Sequence, residues 1–390
     1  MRNFSTFIFI CCVAGLFAAK TERTWYDADK TRIKEVYSVI TKGDSVIKHG
    51  NYIIYYPDSI VWQKGKYSKG LLDGVWLDYY EDGTLKQLMP YKKGKLNGVL
   101  KYYYPTGQMQ QLATYKNDLL NGKVMNYYED GKIQETVFYA DNQLTGEYTS
   151  FYNNGQQFCL KTFQEGKEQG NVTTWFENGN VKEKSFKKNG LYEGLYTDYY
   201  KDQKNGTVNK TCYYAAGKLD GICTAYYPSG FVKSVCTYKN DTITGTFTDY
   251  YDSLKVVKET GEYVRSKKAG VWKSFYKSGD LFSSGVFVND LFDGVWNVYY
   301  PNGKIKQTGQ FVNGSAEGSW LFYYETGELK NSGQYLNNLK TGVWKTFYKT
   351  GELMSEIPFV EGKRDGLARG YNQKGELLET INYKAGEVVK

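Results

Sequence analysis

The chain has 390 residues, a formal net charge of +8 and six cysteines. Its 39 tyrosines and 42 glycines, against only 6 prolines, exclude a disordered chain, which would be poor in aromatics, and a helical one, which so many turn formers would interrupt. The lysines are scattered rather than clustered, as on a solvated surface, so attraction to anionic partners is weak and general.

The first element is the stretch "MRNFSTFIFICCVAGLFAAK". One Arg precedes an apolar run from Phe4 to Ala19 that is short for a membrane span and suits a secretion signal over residues 1–19. The expectation is an exported protein: in a bacterial periplasm, at the cell surface or outside the cell. Residues 20–49 hold "WYDADK" and "IKEVYSV", which read as the two strands of a degenerate first repeat that caps the array.

From there a period takes over. Glycines recur at Gly50, Gly74, Gly98, Gly122, Gly146, Gly170, Gly194, Gly221, Gly245, Gly270, Gly294, Gly318, Gly342 and Gly366. Eleven of the thirteen intervals are 24 residues, one is 27 and one is 25, giving fourteen repeats over residues 50–390. Counting each glycine as position zero, position five is aromatic in every repeat and position six in all but the last, which has Asn372. Position eleven is usually aliphatic. Position nine is most often Gly, and a further Gly, Asn or Asp lies four residues before the next repeat, with Ser266 the one break.

These residues translate into backbone. Asn-Gly and Asp-Gly between strand formers favour a two-residue type I′ hairpin, so Gly83, Gly107, Gly131, Gly303, Gly327 and Gly351 are expected turn residues. Each repeat reads as strand, tight turn, strand, tight turn. A two-residue turn would set position six opposite eleven and position two opposite fifteen. Trp272, Trp296 and Trp320 would then lie across from Gly285, Gly309 and Gly333, a large indole over bare backbone. Cys223 and Cys236 occupy the same two positions, so a cross-strand disulfide is expected in an exported protein. Cys212, at the equivalent of fifteen one repeat earlier, competes as partner, and Cys159 has no evident mate.

Between about residues 185 and 265 the pattern loosens. "YYKDQKNGTVNKTCYY" inserts three residues, "YYDSLKVVKETGEYV" lacks the turn Gly, and "KSFKKNGLYEG" moves its aromatic to Phe186. Local bulges account for this, or a kink or partner contact. A single hairpin buries no useful core, but stacked hairpins cover one another. The expected fold is all-β, an elongated array of antiparallel hairpins. Its 28 strands would extend on the order of 130 Å at strand spacing.

The running pattern, as in "YKKGKLNGVLKYYYPTGQM" and "FVNGSAEGSWLFYYETGEL", resembles the MORN repeat (membrane occupation and recognition nexus), in the bacterial variant form found in antitoxin-like proteins. The resemblance covers roughly residues 50–390. It implies an antiparallel β-array serving as scaffold or binding surface. Phospholipid contact is proposed for some relatives, and catalysis, where present, sits in a separate domain.

The residues themselves offer no catalyst. The lone His49 stands at a repeat boundary, the cysteines lack metal-ligand spacing, and acidic pairs such as Glu81–Asp82 fall in turns. No enzyme activity, cofactor or metal is expected. The feature with binding potential is the aromatic ladder at position five: Tyr79, Tyr103, Tyr127, Phe275, Tyr299, Tyr323 and Phe347. Positions five and six point to opposite faces of a strand. With position six packed inward, position five faces out beside Lys at position twelve, as at Lys86, Lys306 and Lys330. The leading function is a non-enzymatic exported scaffold that binds protein at the cell envelope. Alternatives are a carbohydrate- or cell-wall-binding module, peripheral binding to anionic lipid, and an antitoxin-like role, which fits poorly with a secretion signal. Nucleic acid is not expected as a partner.

Overall fold

The computed structural model describes residues 19–202 and 206–389; residues 1–18 of the expected secretion signal over 1–19 and part of the inserted turn lie outside them. Among the described residues every regular element is a β-strand. The chain divides into two halves, residues 1–179 and 180–390. Within each half the strands pair antiparallel in chain order. The first runs from Lys20–Trp25, paired with Ile33–Lys42, onward to Gly170–Trp175. The second runs from Val181–Lys188 to Glu387–Val388. The expected cap over residues 20–49 is a hairpin of this kind, with a longer turn closed by Asp27, whose carboxylate accepts from the Thr31 and Arg32 amides.

One repeat shows the plan: an outgoing strand Leu291–Tyr299, a tip, a return strand Ile305–Val312 and a back turn at Asn313–Gly314. The type I′ geometry expected at the tip stands at the back turn instead. A type I′ turn needs two consecutive left-handed residues. The back turns supply them, as at Asn289 (φ 51°) and Asp290 (φ 71°), or Asn337 (51°) and Asn338 (64°). At the tip only Gly303 is left-handed, at φ 81°. The Tyr300 amide donates to the Lys304 carbonyl at 2.8 Å and the Gly303 amide to the Tyr300 carbonyl at 2.9 Å. That is a three-residue loop, a type I turn closed by a left-handed glycine, with one extra residue bulged out of the return strand. The extra residue corrects the expected pairing at the tip. Tyr299 at position five, rather than position six, faces Ile305 at eleven.

Beyond the bulge the register is the expected one, with Trp272, Trp296 and Trp320 opposite Gly285, Gly309 and Gly333. The indoles, however, do not cover those glycines. Between repeats the ladder runs Thr308↔Leu321 and then Gln310↔Glu317, leaving Gly309 alone against Gly318, Ser319 and Trp320. This wide bulge swings each Trp onto the glycine of the preceding repeat. A Cβ built on Gly309 would fall inside the Trp320 ring, and likewise Gly285 with Trp296, Gly333 with Trp344, Gly261 with Trp272 and Gly65 with Trp76. In three of them the indole N–H donates one residue further along that strand, Trp76 to the Lys66 carbonyl at 3.0 Å, Trp272 to the Glu262 carbonyl at 3.2 Å and Trp344 to the Gln334 carbonyl at 3.1 Å, whereas the buried Trp320 nitrogen has no such partner.

The core follows from this lean. In the first half, Tyr52, Ile54, Trp76, Met89 and Leu100 form one buried cluster, and Ala113, Val124 and Val137 a second. They come from positions two, four and fifteen. An aromatic row at position seventeen closes the core, meeting each Trp edge to face: Tyr67–Trp76 at 5.1 Å, Phe311–Trp320 at 5.2 Å and Tyr335–Trp344 at 5.1 Å between centroids. Position six is not part of it.

Gly309→Ala should destabilise the protein by about 1–3 kcal/mol, the usual penalty of overpacking. Denaturation of a double-mutant cycle should couple that loss to Trp320 and not to Trp296. Stronger coupling to Trp296 would refute the inter-repeat contact.

Candidate binding surfaces

At the tips, the tyrosine at position six bonds one repeat to the next. The ladder between repeats stops at Gln307↔Phe322, so strand pairing leaves the Tyr323 carbonyl without an amide. The Tyr300 hydroxyl donates to it at 2.9 Å. The same bond runs through the first half from Tyr26→Tyr55 to Tyr152→Trp175 and through the second from Tyr200→Tyr226 to Tyr348→Tyr371. Burial raises the pKa of Tyr56, Tyr80 and Tyr152, which keeps these hydroxyls protonated as donors. The expectation that position six packs into the core is therefore corrected: its ring lies along the tip edge. The lysine at position twelve sits over that ring, not beside position five. Lys86 lies 5.6 Å from the Tyr80 centroid, Lys306 5.7 Å from Tyr300 and Lys330 5.5 Å from Tyr324.

Tyr79, Tyr103, Tyr127, Phe275, Tyr299, Tyr323 and Phe347 are all half-buried, and each gives its carbonyl to the tyrosine of the preceding tip. Their rings share a face with positions three and fourteen. The Tyr127 hydroxyl meets the Met125 sulfur at 3.5 Å, and the Lys64 ammonium stands 5.2 Å from the Tyr79 centroid. The glycines Gly83, Gly107, Gly131, Gly303, Gly327 and Gly351 are left-handed, with φ between 81° and 105°. Each amide donates to the carbonyl of its own tip tyrosine. His49 serves the fold, its Nδ1 accepting from the Lys69 amide at 3.1 Å. Among the described residues no three His, Cys, Asp or Glu side chains gather as a metal site would need.

The expected Cys223–Cys236 disulfide is not the one present: Cys223 is bonded to Cys212. All three are register partners across adjacent strands. The reason is the one that governs the tryptophans, since a position-two side chain leans toward the preceding repeat. Cys236 is a free, half-buried thiol whose sulfur lies 3.8 Å from the Cys223 carbonyl, and burial raises its pKa.

A row of exposed apolar side chains follows position one: Val75 and Val99 in the first half, and Leu195, Ile222, Val271, Val295, Val343 and Leu367 in the second. Val295 keeps 57% of its surface exposed. The aromatic consensus drew attention to the tips and away from this row; alternation with the buried position two would have revealed it.

With this geometry in view, the match to known sequences is decisive. A profile described as "MORN repeat variant" fits residues 72–93, 96–117, 120–141, 168–189, 219–240, 292–313, 316–337 and 340–361. The chain is a MORN-repeat protein. Each matched segment of this MORN chain runs from the position-two-face residue ahead of the zero glycine to the following back turn. No curated protein matches it. Solved structures that align include the TcdB2–TccC3–Cdc42 complex, at 10% identity over 93% of this chain and 27% of that one, with a TM-score of 0.15. TcdB2–TccC3 without its hypervariable C-terminal region aligns at 11% identity over 95% and 22%, with a TM-score of 0.17. The Photorhabdus luminescens Tc holotoxin pore aligns at 11% over 95% and 22%, with a TM-score of 0.16. The MORN chain spans about a quarter of those chains, and overlays this poor carry no argument.

Two outcomes are expected of the tip and cysteine chemistry. Tyr300→Phe orphans the Tyr323 carbonyl and should cost about 1 kcal/mol in chemical denaturation, with faster hydrogen exchange confined to the adjacent tips. Peptide mapping without reduction should recover Cys212 joined to Cys223, with Cys236 alkylated only after denaturation. A Cys223–Cys236 peptide would contradict the assignment.

Proposed function

We propose that this MORN-repeat protein is a non-enzymatic, exported scaffold that binds protein at the cell envelope. The observation that carries the reading is the position-one row. Extended repeat surfaces commonly bind partners, and repeated exposed apolar side chains on a rigid sheet are the kind of patch that a partner covers. In the second half, Val271, Val295 and Val343 occupy the same position in their repeats, on strands held by hydrogen bonds at tips and back turns. A protein surface with matching apolar ridges would bury them. The Lys side chains near the tips set the polar rim and leave room for complementary acidic groups.

Export rests on the apolar run before Lys20 and is supported by the Cys212–Cys223 bridge, since disulfides persist in oxidising compartments. The lack of enzymatic activity rests on the roles of the candidate groups. His49 clips a turn and the tip tyrosines bond backbone. The antitoxin-like role gains nothing from these observations.

A photo-crosslinking residue at Val295 should trap one defined protein in the envelope fraction, whereas the same residue at Asn302 in the tip should not. The triple variant V271D/V295D/V343D should remain folded and lose that partner. Equal trapping at both sites, or retention by the triple variant, would sink the reading.

A further inference from the structure

The residue at position twelve varies from tip to tip, and one adjacent pair is informative. Along the tip edge of the first half, position twelve reads Trp62, Lys86, Gln110, Gln134 and Phe158. Where it is lysine, the ammonium stands over the tip tyrosine, as Lys86 does over Tyr80. In two consecutive repeats glutamine stands there, and among the described residues no cation lies over the rings of Tyr104 and Tyr128. At this place the structure opens a cavity of about 310 Å³. Tyr102, Tyr104 and Tyr127 supply its aromatic walls, and Gln110 and Gln134 reach it from the edge.

The lining is entirely uncharged in a chain where 24% of residues are charged, which disfavours an anionic or cationic ligand. The inner amides are fixed: Gln111 Nε2 donates to Asn126 Oδ1 at 2.8 Å, and Asn126 Nδ2 donates to Glu135 Oε1 at 2.5 Å. The Tyr104 hydroxyl is committed to the Tyr127 carbonyl. Among the described residues the outer amides of Gln110 and Gln134 and the Tyr102 hydroxyl have no hydrogen-bond partner, so their donors and acceptors are available to a ligand at this half-exposed edge. An amide offers a donor and an acceptor side by side, which matches a pair of neighbouring hydroxyls. A tyrosine ring takes the C–H face of a pyranose. The volume lies at the lower end for ligand pockets and suits one sugar ring.

We propose that the first half carries a binding site for a neutral oligosaccharide, with one ring seated between Gln110 and Gln134. The chain of sugars extends along the tip edge. Successive tips are separated by two strand spacings, about 10 Å, which is the length scale of two linked pyranoses. Exposed aromatics stand farther along in both directions. Trp62 stacks with Tyr56 at 5.8 Å on one side and Phe158 packs on Tyr152 at 5.1 Å on the other. They provide platforms for outlying sugars. This site is separate from the position-one row of the second half, so either can fail without the other.

The test uses the full chain on an array of neutral α- and β-linked oligosaccharides, followed by calorimetric titration of the best binder, with a β-1,4-linked glucose tetrasaccharide and its N-acetylglucosamine counterpart as fixed probes. At least one neutral saccharide should bind saturably. Q110A/Q134A should weaken it at least tenfold while circular dichroism and thermal midpoint stay unchanged, because both side chains sit at the edge. Y102F should weaken it less, and K306A/K330A in the second half should have no effect. Affinity should be the same at low and high salt. Binding of no neutral saccharide, undiminished binding by the double glutamine variant, or affinity that collapses with salt would each overturn the proposal; the last would mark an anionic ligand.

Discussion

In this protein the side chain at position two packs against the preceding repeat, and in five repeats it is a tryptophan seated on that repeat's glycine. A two-stranded hairpin has no second layer to cover its apolar face, so the cover must come from a neighbour. Here the indole of Trp320 reaches across the wide bulge to Gly309, and its edge meets Phe311 of the same earlier repeat. The rest of the architecture serves that contact. The bulge exists because the zero glycine adopts a left-handed conformation, 65° at Gly318, and lets three residues stand against one. Glycine at position fifteen is required sterically, not conformationally, since any Cβ there would occupy the ring.

The same dependence on the neighbour appears at both edges of the sheet. At the tips a tyrosine hydroxyl completes the backbone of the next repeat. At the back turns an amide such as that of Gly314 donates to the Phe292 carbonyl, 22 residues earlier. A repeat is therefore joined to the next by strand pairing, by a packed aromatic and by hydrogen bonds at either end. Stability in such an array resides largely in the interfaces between repeats. A rigid support of this kind holds rows of side chains at fixed spacing, and a row can bind without any one member being a site. Two places in the array then stand out: the adjacent glutamines Gln110 and Gln134 at position twelve, and three cysteines in adjacent strands.

Much of this was legible in the chain. The 24-residue period, the strand-and-turn alternation and the position of every turn follow from where Gly, Asn and Asp recur, because few other residues accept left-handed φ. The kind of turn was less legible. "Asn-Gly" suits a type I′ turn and also a type I turn closed by a left-handed glycine, and the choice depends on whether the asparagine itself is left-handed. That single difference moved one residue out of the return strand and shifted the tip tyrosines from the core to the edge. The aromatic row at position seventeen, which does fill the core, was as regular as the tip pair but was overshadowed by the doubled tyrosine.

The sequence determined that position two and position fifteen belong together, because Trp pairs with Gly and Cys with Cys at those positions. The central tryptophans and the cysteines leave the repeat open; only Trp76 and Trp344 separate the candidates, since Met89 and Ile357 stand at position fifteen of their own repeats and Gly65 and Gly333 at that of the preceding ones. Trp296 is 13 residues before Gly309 and 11 after Gly285; Cys223 is 13 before Cys236 and 11 after Cys212. Both candidates lie on strands adjacent to that of the position-two residue, and strand alternation puts all of them on one face. For the cysteines only the tertiary structure chose, through the bulge that tilts position two toward the preceding repeat. It gave tryptophan and cysteine the same answer for the same reason.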